Sequence, residues 1–568
     1  MSIPKIFANG KQVDLNQNHY KGAGGEGTIY VKGGKAYKIY HDPSKAIPPE
    51  KIRELATIDL PNVLGPIAEI TDAHGRAIGF AMRYVDKTEY LCRLFTKGFR
   101  ESNSVDTQTI NALVKRMQDT LHAIHQKDIL VVDYNELNFL TSTAFDEIYH
   151  IDVDCYQTPH YPATAIMESI RDRKVKAHKW TRESDWFSFG VVAFQLYMST
   201  HPYKGRHPDF GKDWQKMMEA GVSVFNKATR LPPNTQDWAV IPKGHLKWFE
   251  KIFEHGERIA PPSSPDAATD ILGPVKTQII ASTEHFEIKT VRTYKSEILA
   301  LRYINGTCYA WTKDAIQADQ KEIKAVSPTS GYTARRTQKD ICPAQNDAPV
   351  LINFNTLTNK LTYESLDGKL QGESETTGFF IAQGRLYAVT PKGLIEYSFM
   401  NLGAKTIASQ QAVAQIFHQH IVVDGMVIQD MLGTCHLAFP TSQGCAANIR
   451  VKELDGLRIL SAKYQRGFAI LLAEKGGTFS RFTLVFDKSH RYSLREEANA
   501  PLQEIEFTVL DKGSCVATNE ANIEIFLNND TVKVVEDSPL TGSQKLLSSG
   551  NQVLMTNKNQ LLQISVKA

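Results

Sequence analysis

Residues 22–29 read GAGGEGTI, which sets Gly22, Gly24 and Gly27 in GxGxxG spacing with Gly25 among them. Glycines so spaced let backbone N–H groups approach phosphate oxygens closely, because no Cβ stands in the way. A dinucleotide-binding fold uses the same three glycines, but there a helix follows them. Here they are followed by TIYVK, a GGK turn and AYKIY, the pattern of a β-hairpin. A phosphate would therefore lie under a hairpin. The hairpin carries Lys38 eleven residues after Gly27. A lone strand lysine is ordinarily a solvated edge charge; the glycines before it set this one apart. Further on, Asp133 and Asn138 stand five residues apart in DILVVDYNELNFL, and Asp152-Val153-Asp154 follows Asn138 by fourteen residues, after the apolar YHI. A bare D-x-D is usually turn chemistry. Carboxylates and a carboxamide at these spacings, behind a glycine loop and a lysine, are hard to obtain by accident.

The elements that would position these groups change character near residue 260. Before it, helical stripes are plain: Ile110, Leu113, Val114, Met117, Leu121 and Ile124 recur at helical spacing, as does the run from Trp186 to Met198. PPEKIRELATI reads as a short helix after the lysine strand, with Pro49 as its first residue. Then ERIAPPSSPDAATDILGP reads as a linker, set at 263–279. From about residue 280 short apolar runs alternate with turn residues.

Taken in order, these segments resemble the protein kinase family over about residues 15–260, most nearly compact bacterial serine/threonine kinase domains with a short glycine-loop hairpin. The resemblance implies an α+β bilobal fold for residues 1–262, with a small lobe at about 15–85 and a large lobe at 86–262. It implies ATP and Mg²⁺ as ligands. Ala36-Tyr37-Lys38 is similar to the A-x-K strand whose lysine holds the α- and β-phosphates. That lysine needs an acidic partner on the next helix, where Glu50 and Glu54 compete; Glu54 is preferred because Ile58 follows it one turn later. GFAMRYV resembles the last small-lobe strand, with Met82 near the adenine and Arg83 to Val85 as hinge. Nucleotide contacts are thus expected from Gly22, Gly24, Gly25, Gly27, Ile29, Ala36, Lys38, Met82, Tyr84 and Leu140. By the pattern H-R-D-L-x-x-x-N, Asp133 would orient the attacking hydroxyl and accept its proton, Asn138 would bind Mg²⁺, and Asp152 would be the principal Mg²⁺ ligand. SDWFSFGVVAFQLYMSTHPY resembles the large-lobe helix S-D-x-x-S-x-G, with Asp185 bracing the catalytic loop and Arg258 as a structural arginine.

This sequence departs from the family pattern at several points. Val131-Val132 replaces H-R, which removes the usual reader of a phosphorylated activation loop. Asn135 replaces the lysine two after the aspartate, and Asp154 replaces the glycine of D-F-G. No clear A-P-E is present, and HYPATAIMES at 160–169 comes nearest. The basic run RDRKVKAHK reads as a solvated surface, with docking of an acidic substrate as the sharper reading. His122 and His125 read as packing or surface residues.

The second half repeats. GTCYAWTKDAIQ, APVLINFNTLTNKLTY, GRLYAVTPKGLIEY, GMVIQDMLGTCHLAF, GFAILLAEKGGTFSRFTLVF, GSCVATNEANIEIF and NQVLMTNKNQLLQI start 42, 36, 41, 42, 46 and 38 residues apart. This spacing suits β-propeller blades, so residues 280–568 are expected to form an all-β propeller of about seven blades, with a strand near 280–300 closing the ring against the last blade. A pair of β-sandwiches is the alternative.

With 568 residues, 42% hydrophobic and 22% charged, the chain has the composition of a multidomain globular protein. A net charge of +3 gives no reason to expect nucleic acid or an anionic membrane as partner. The seven cysteines are scattered and form no CxxC pair, so neither a zinc site nor a disulfide framework is expected. The first residues contain no apolar core of signal-peptide length, and a cytoplasmic location is expected. The functions to be distinguished are a serine/threonine protein kinase acting on a protein substrate, with a protein partner on the propeller; a pseudokinase scaffold; and a kinase-fold small-molecule phosphotransferase.

Overall fold

The computed structural model describes residues 5–24, 26–176, 178–262, 286–304, 306–319, 321–326, 337–345, 348–401, 406–441, 444–475, 478–520, 522–527, 531–535 and 544–566. Gly25 and the linker expected at 263–279 lie outside the described residues. The chain divides into two compact units, Met1–Ala281 and Ser282–Ala568. Among the described residues, no helix is long and apolar enough to cross a membrane.

The first unit begins with β1 (Ile6–Ala8) and β2 (Lys11–Val13), joined by Asn9 and Gly10 at φ 50° and 73°. An Asn-Gly pair with both residues left-handed is the turn a two-residue hairpin favours. After them come β3 (Tyr20–Ala23), β4 (Gly27–Lys32), β5 (Lys35–Tyr40), α1 (Pro49–Leu55), β6 (Pro66–Thr71) and β7 (Ala77–Arg83). The strands form one antiparallel sheet in the order β2-β1-β6-β7-β5-β4-β3. The sheet thus starts at Ile6, earlier than the small lobe expected from residue 15, and Ile6 is fully buried in its core beside Tyr20, Tyr37 and Ile70. The β4–β5 turn is the anticipated GGK turn, with Gly33 and Gly34 both left-handed.

A second, mainly helical part follows: β8 (Thr88–Tyr90), α2 (Lys97–Ser102), α3 (Thr107–His125), β9 (Phe139–Ser142), β10 (Ile148–His150), α4 (Arg182–Met198), α5 (Trp214–Ala220) and α6 (Lys243–Phe253). Asp106 caps α3 by accepting the Thr109 N–H at 2.8 Å. The stripe from Ile110 to Ile124 faces the core, none of its six residues more than 2% exposed. Helix α4 is mostly apolar and buried on every side from Ser184 to Met198, which makes it the centre of this part. Its C-terminal Leu196 carbonyl is met by the buried Arg100, which also donates to the Leu94 oxygen. Cations favour that end of a helix; burial without a carboxylate partner lowers the guanidinium to about 9.

Buried histidines add an acid sensitivity, His245 and His201 among them. His245 is held by Gln118 Oε1 and Tyr197 Oη, both at 3.1 Å, and His201 donates to the Ser169 carbonyl at 2.8 Å. Burial pulls both imidazoles down to about 4. Between pH 6.5 and 5 an unfolded histidine takes up a proton that these folded ones refuse, so stability falls as pH falls, by up to about 1.4 kcal/mol per pH unit for each. Calorimetric melting over this range should show the decline, and His245→Gln should flatten it by one proton's worth. An unchanged slope in His245→Gln would refute the assignment.

Among its described residues the second unit is built of antiparallel sheets. Seven four-stranded sheets follow one another there: six are consecutive meanders at 298–325, 337–375, 378–414, 420–450, 458–498 and 507–535. The seventh joins three strands at 545–566 to the first strand of the unit, Phe286–Thr293, which pairs antiparallel with Gln560–Val566. Each repeat read from the sequence falls on the second and third strands of one sheet. Apolar clusters join each sheet to the next around a closed cycle. Trp311 shares a cluster with Leu351, Val350 with Tyr397, Val389 with Val427, Leu437 with Leu471, Ile470 with Phe507, Val516 with Leu546, and Leu554 with Cys308.

Candidate active site

Lys38 lies in the middle of β5, hydrogen-bonded between β4 and β7. The strands are close here: a Cβ on Gly79 would fall 2.0 Å from the Lys38 carbonyl oxygen, so only glycine fits. The lysine is 6% exposed. Its Nζ donates to Asp154 Oδ2 at 2.9 Å, with Asp152 Oδ1 at 3.5 Å and Glu26 Oε2 at 3.7 Å. Burial works to lower its pKa, and the charges of Asp154 and Asp152 overrule burial, so it is raised well above the ordinary lysine value. Tyr40 Oη donates to the same Asp154 oxygen at 2.7 Å.

Glu54 does not meet Lys38, contrary to the expected pairing. Helix α1 turns Lys51, Ile52 and Leu55 inward, and with 3.6 residues per turn this carries Glu50 to the exposed side and leaves Glu54 half-buried on the flank of the interior stripe. Glu50 pairs with Arg53 at 2.8 Å and Glu54 with His160 at 2.5 Å. The helix contributes a second buried lysine instead: Lys51 Nζ donates to the Asp154 carbonyl at 2.7 Å.

The segment after α3 is held from below by Asp185 of α4, which is fully buried. Its two oxygens accept the N–H groups of Val131 at 2.8 Å and Val132 at 2.9 Å, and His125 Nε2 lies 2.9 Å away. Val132 is left-handed at φ 62°, a strained conformation for a β-branched residue, and it precedes Asp133. Asp152 is left-handed too, at φ 54°. Asp133 Oδ1 accepts the Met167 N–H at 2.8 Å and Oδ2 accepts Asn135 Nδ2 at 2.8 Å. Burial raises its carboxyl above the usual range. Asn138 Nδ2 donates to the Asp133 carbonyl at 2.9 Å, and the Asn138 carbonyl accepts the Ile151 N–H at 3.0 Å, which ties it to the strand leading into Asp152. With its amide nitrogen turned to Asp133, Asn138 keeps its amide oxygen for another partner. That oxygen and the half-exposed Asp152 carboxylate are the hard oxygen donors that Mg²⁺ takes.

The remaining expected contacts divide by sheet. Register places Ile29 opposite Lys38 and Ala36 opposite Met82. The Tyr84 N–H bonds the Gly34 carbonyl at 3.1 Å, and its hydroxyl donates to Asp86 at 3.1 Å. A Cβ on Gly22 or Gly24 would meet nothing within 4 Å, whereas one on Gly27 would strike the Ile39 carbonyl at 2.6 Å. Packing thus demands glycine at 27 and leaves open space at 22 and 24. Leu140 lies in β9, between β8 and β10.

Sequence reasoning missed the partner of Arg258. Its Nε and Nη2 hold both oxygens of the buried Asp172, at 2.5 and 2.6 Å, with the guanidinium 4.4 Å from the Phe187 ring. Asp172 lies past 160–169, where the A-P-E equivalent was sought. The basic run is partly engaged: Arg171 and Arg173 bond Glu168, and Lys174 donates to the Gly256 carbonyl at 2.8 Å.

No family model matches the chain. Over 134 residues it is 26% identical to serine/threonine-protein kinase 1 of Orgyia pseudotsugata multicapsid polyhedrosis virus, a match covering 23% of this chain and 45% of the viral protein. The chain thus spans less than half the length of that relative. Among solved structures, two of virginiamycin B lyase from Staphylococcus aureus, one a catalytically inactive form with quinupristin, align over 50% of this chain and all of theirs, at 10% and 9% identity and TM-scores of 0.33 and 0.34.

Proposed function

We propose that the first unit is a bilobal serine/threonine protein kinase dependent on ATP and Mg²⁺, and that the second is a seven-bladed β-propeller that binds a protein partner or substrate. The observation that carries the reading is the convergence of Lys38 and Asp152 with a loop, braced by Asp185, on which Asp133 and Asn138 are bonded together. The viral kinase likeness supports the reaction class. Lys38 would donate to phosphate oxygens of the nucleotide. Asp133 would accept the proton of the substrate hydroxyl, and its raised pKa suits a base. Asn138 and Asp152 would hold Mg²⁺, which supplies charge neutralisation between the β- and γ-phosphates. The closed cycle of seven sheets supports the propeller, which offers binding surface rather than chemistry.

A second reading, a scaffold that binds nucleotide without transfer, is favoured by one observation: both Asp133 oxygens already accept hydrogen bonds within the chain. Incubation of the purified protein with labelled ATP and Mg²⁺, followed by phosphosite mapping, separates the two. Label on serine or threonine supports the kinase; intact ATP binding with no transfer supports the scaffold.

The metal assignment has its own test. ATP should raise the melting temperature more with Mg²⁺ than without, because a ligand bound only to the native state stabilises it. Asp152→Ala should remove most of the metal-dependent part. An equal shift in EDTA would refute the metal assignment.

A further inference from the structure

Position 154 is glycine in the family this unit resembles, yet here it holds a carboxylate that is 3% exposed and 2.9 Å from Lys38. Three side chains from two elements converge on it. Strand β5 supplies Lys38 and Tyr40, whose Nζ and Oη both donate to Asp154 Oδ2, and α1 supplies Lys51, whose Nζ donates to the Asp154 carbonyl. Side chain and main chain of this one residue are thus both fixed, two positions after the metal-ligand candidate Asp152. We infer that Asp154 is the positioning residue for the phosphate-holding Lys38, in the place expected for a helix glutamate, so that the lysine and the D-x-D segment form one unit. The inference rests on the reading of Lys38 as the amine that meets nucleotide phosphate.

The donor arithmetic agrees. An ammonium has three N–H donors. Lys38 makes one contact of hydrogen-bond length, to Asp154; Asp152 and Glu26 stand off at 3.5 and 3.7 Å. Two donors stay available for phosphate oxygens while the first anchors the side chain. Tyr40 keeps the anchor itself from turning. The consequence is a lysine whose placement does not depend on a carboxylate from α1, in contrast to an arrangement in which swinging that helix makes or breaks the pair.

The test is a set of Mg-ATP dissociation constants measured by calorimetry on the full chain. Asp154→Asn keeps the shape and an acceptor oxygen for Tyr40 but removes the charge, and should weaken binding about tenfold, within the range of coupled neighbours. Combined with Lys38→Ala, it should weaken binding no further than Lys38→Ala alone, because both remove the same interaction. A general loss of packing would instead add. Tyr40→Phe, which deletes one hydroxyl, should give a smaller loss with the same non-additivity, and it carries the test if Asp154→Asn does not fold. Glu54→Ala should change binding by less than about twofold, because its bond goes to the exposed His160 and not to Lys38. Unchanged or tighter binding in Asp154→Asn and Tyr40→Phe, or a loss in Glu54→Ala equal to that in Asp154→Asn, would overturn the inference while leaving the kinase reading standing. Failure of the wild type to bind Mg-ATP would overturn both.

Discussion

Asp133→Ala is expected to cut phosphoryl transfer by ~10²-fold or more while leaving ATP affinity nearly unchanged, the scale for loss of a positioned base. The asymmetry follows from where the group sits. Asp133 contacts Met167, Asn135 and Asn138, all in loops, and among the described residues it bonds neither β5 nor the glycine loop. Lys38→Ala should behave differently, weakening nucleotide binding and turnover together, since the proposed role has the lysine meet phosphate in both ground and transition states. Because Val131 and Val132 stand where an arginine reader of a phosphorylated loop would be, wild-type transfer should also survive prior treatment with phosphatase. The measurement is transfer of labelled phosphate to autophosphorylation sites or a generic protein substrate, alongside ATP titrations. Transfer that persists in Asp133→Ala would mean that the base lies elsewhere.

The sequence was most legible where a periodicity or a turn forces one answer. The six-residue stripe of α3 could bury itself only as a helix, and its residues are the core. The seven repeats could be counted because each hairpin of paired strands is bounded by turn residues. The Asn9-Gly10 turn carried an equally strong hairpin signal, and with it β1 and β2 could have been placed in the first sheet. What sequence could not give was which side of a short helix faces in. Glu50 and Glu54 were weighed against each other as partners for Lys38, yet α1 is only seven residues long and its buried face is set by Lys51, Ile52 and Leu55. A buried lysine on that face is unexpected from pattern alone, since lysine is almost never fully buried unless paired. Its partner, a main-chain carbonyl 103 residues away, leaves no trace in spacing. The same holds for Asp154, whose contact with Lys38 spans 116 residues.

Distance in sequence also hid Asp172, and its loss should be the largest stability effect in the first unit. Its carboxylate is fully buried and Arg258 holds both oxygens. Asp172→Ala leaves a guanidinium largely buried without its counter-charge, which costs about 3–5 kcal/mol. For a unit of this size that lowers the melting temperature by on the order of 10 °C. Arg258 has other anchors, the carbonyls of Ile252 at 3.0 Å and Glu257 at 2.8 Å and the Phe187 ring, so it cannot readily swing out to water. Replacing both partners by apolar residues, Asp172→Leu with Arg258→Met, should therefore cost less than Asp172→Ala alone, since no charge is then left buried. The effect reaches the chemistry as well. The Ile170 carbonyl accepts Ser188 Oγ at 2.9 Å, and three residues earlier the Met167 N–H holds Asp133 Oδ1. Loosening residue 172 should let this segment drift and lower transfer even at temperatures where the unit stays folded. Calorimetry on the full chain with transfer assays at 20 °C would measure both. A double variant less stable than Asp172→Ala would mean that the pair is replaceable only as an ion pair, and that the packing argument is wrong.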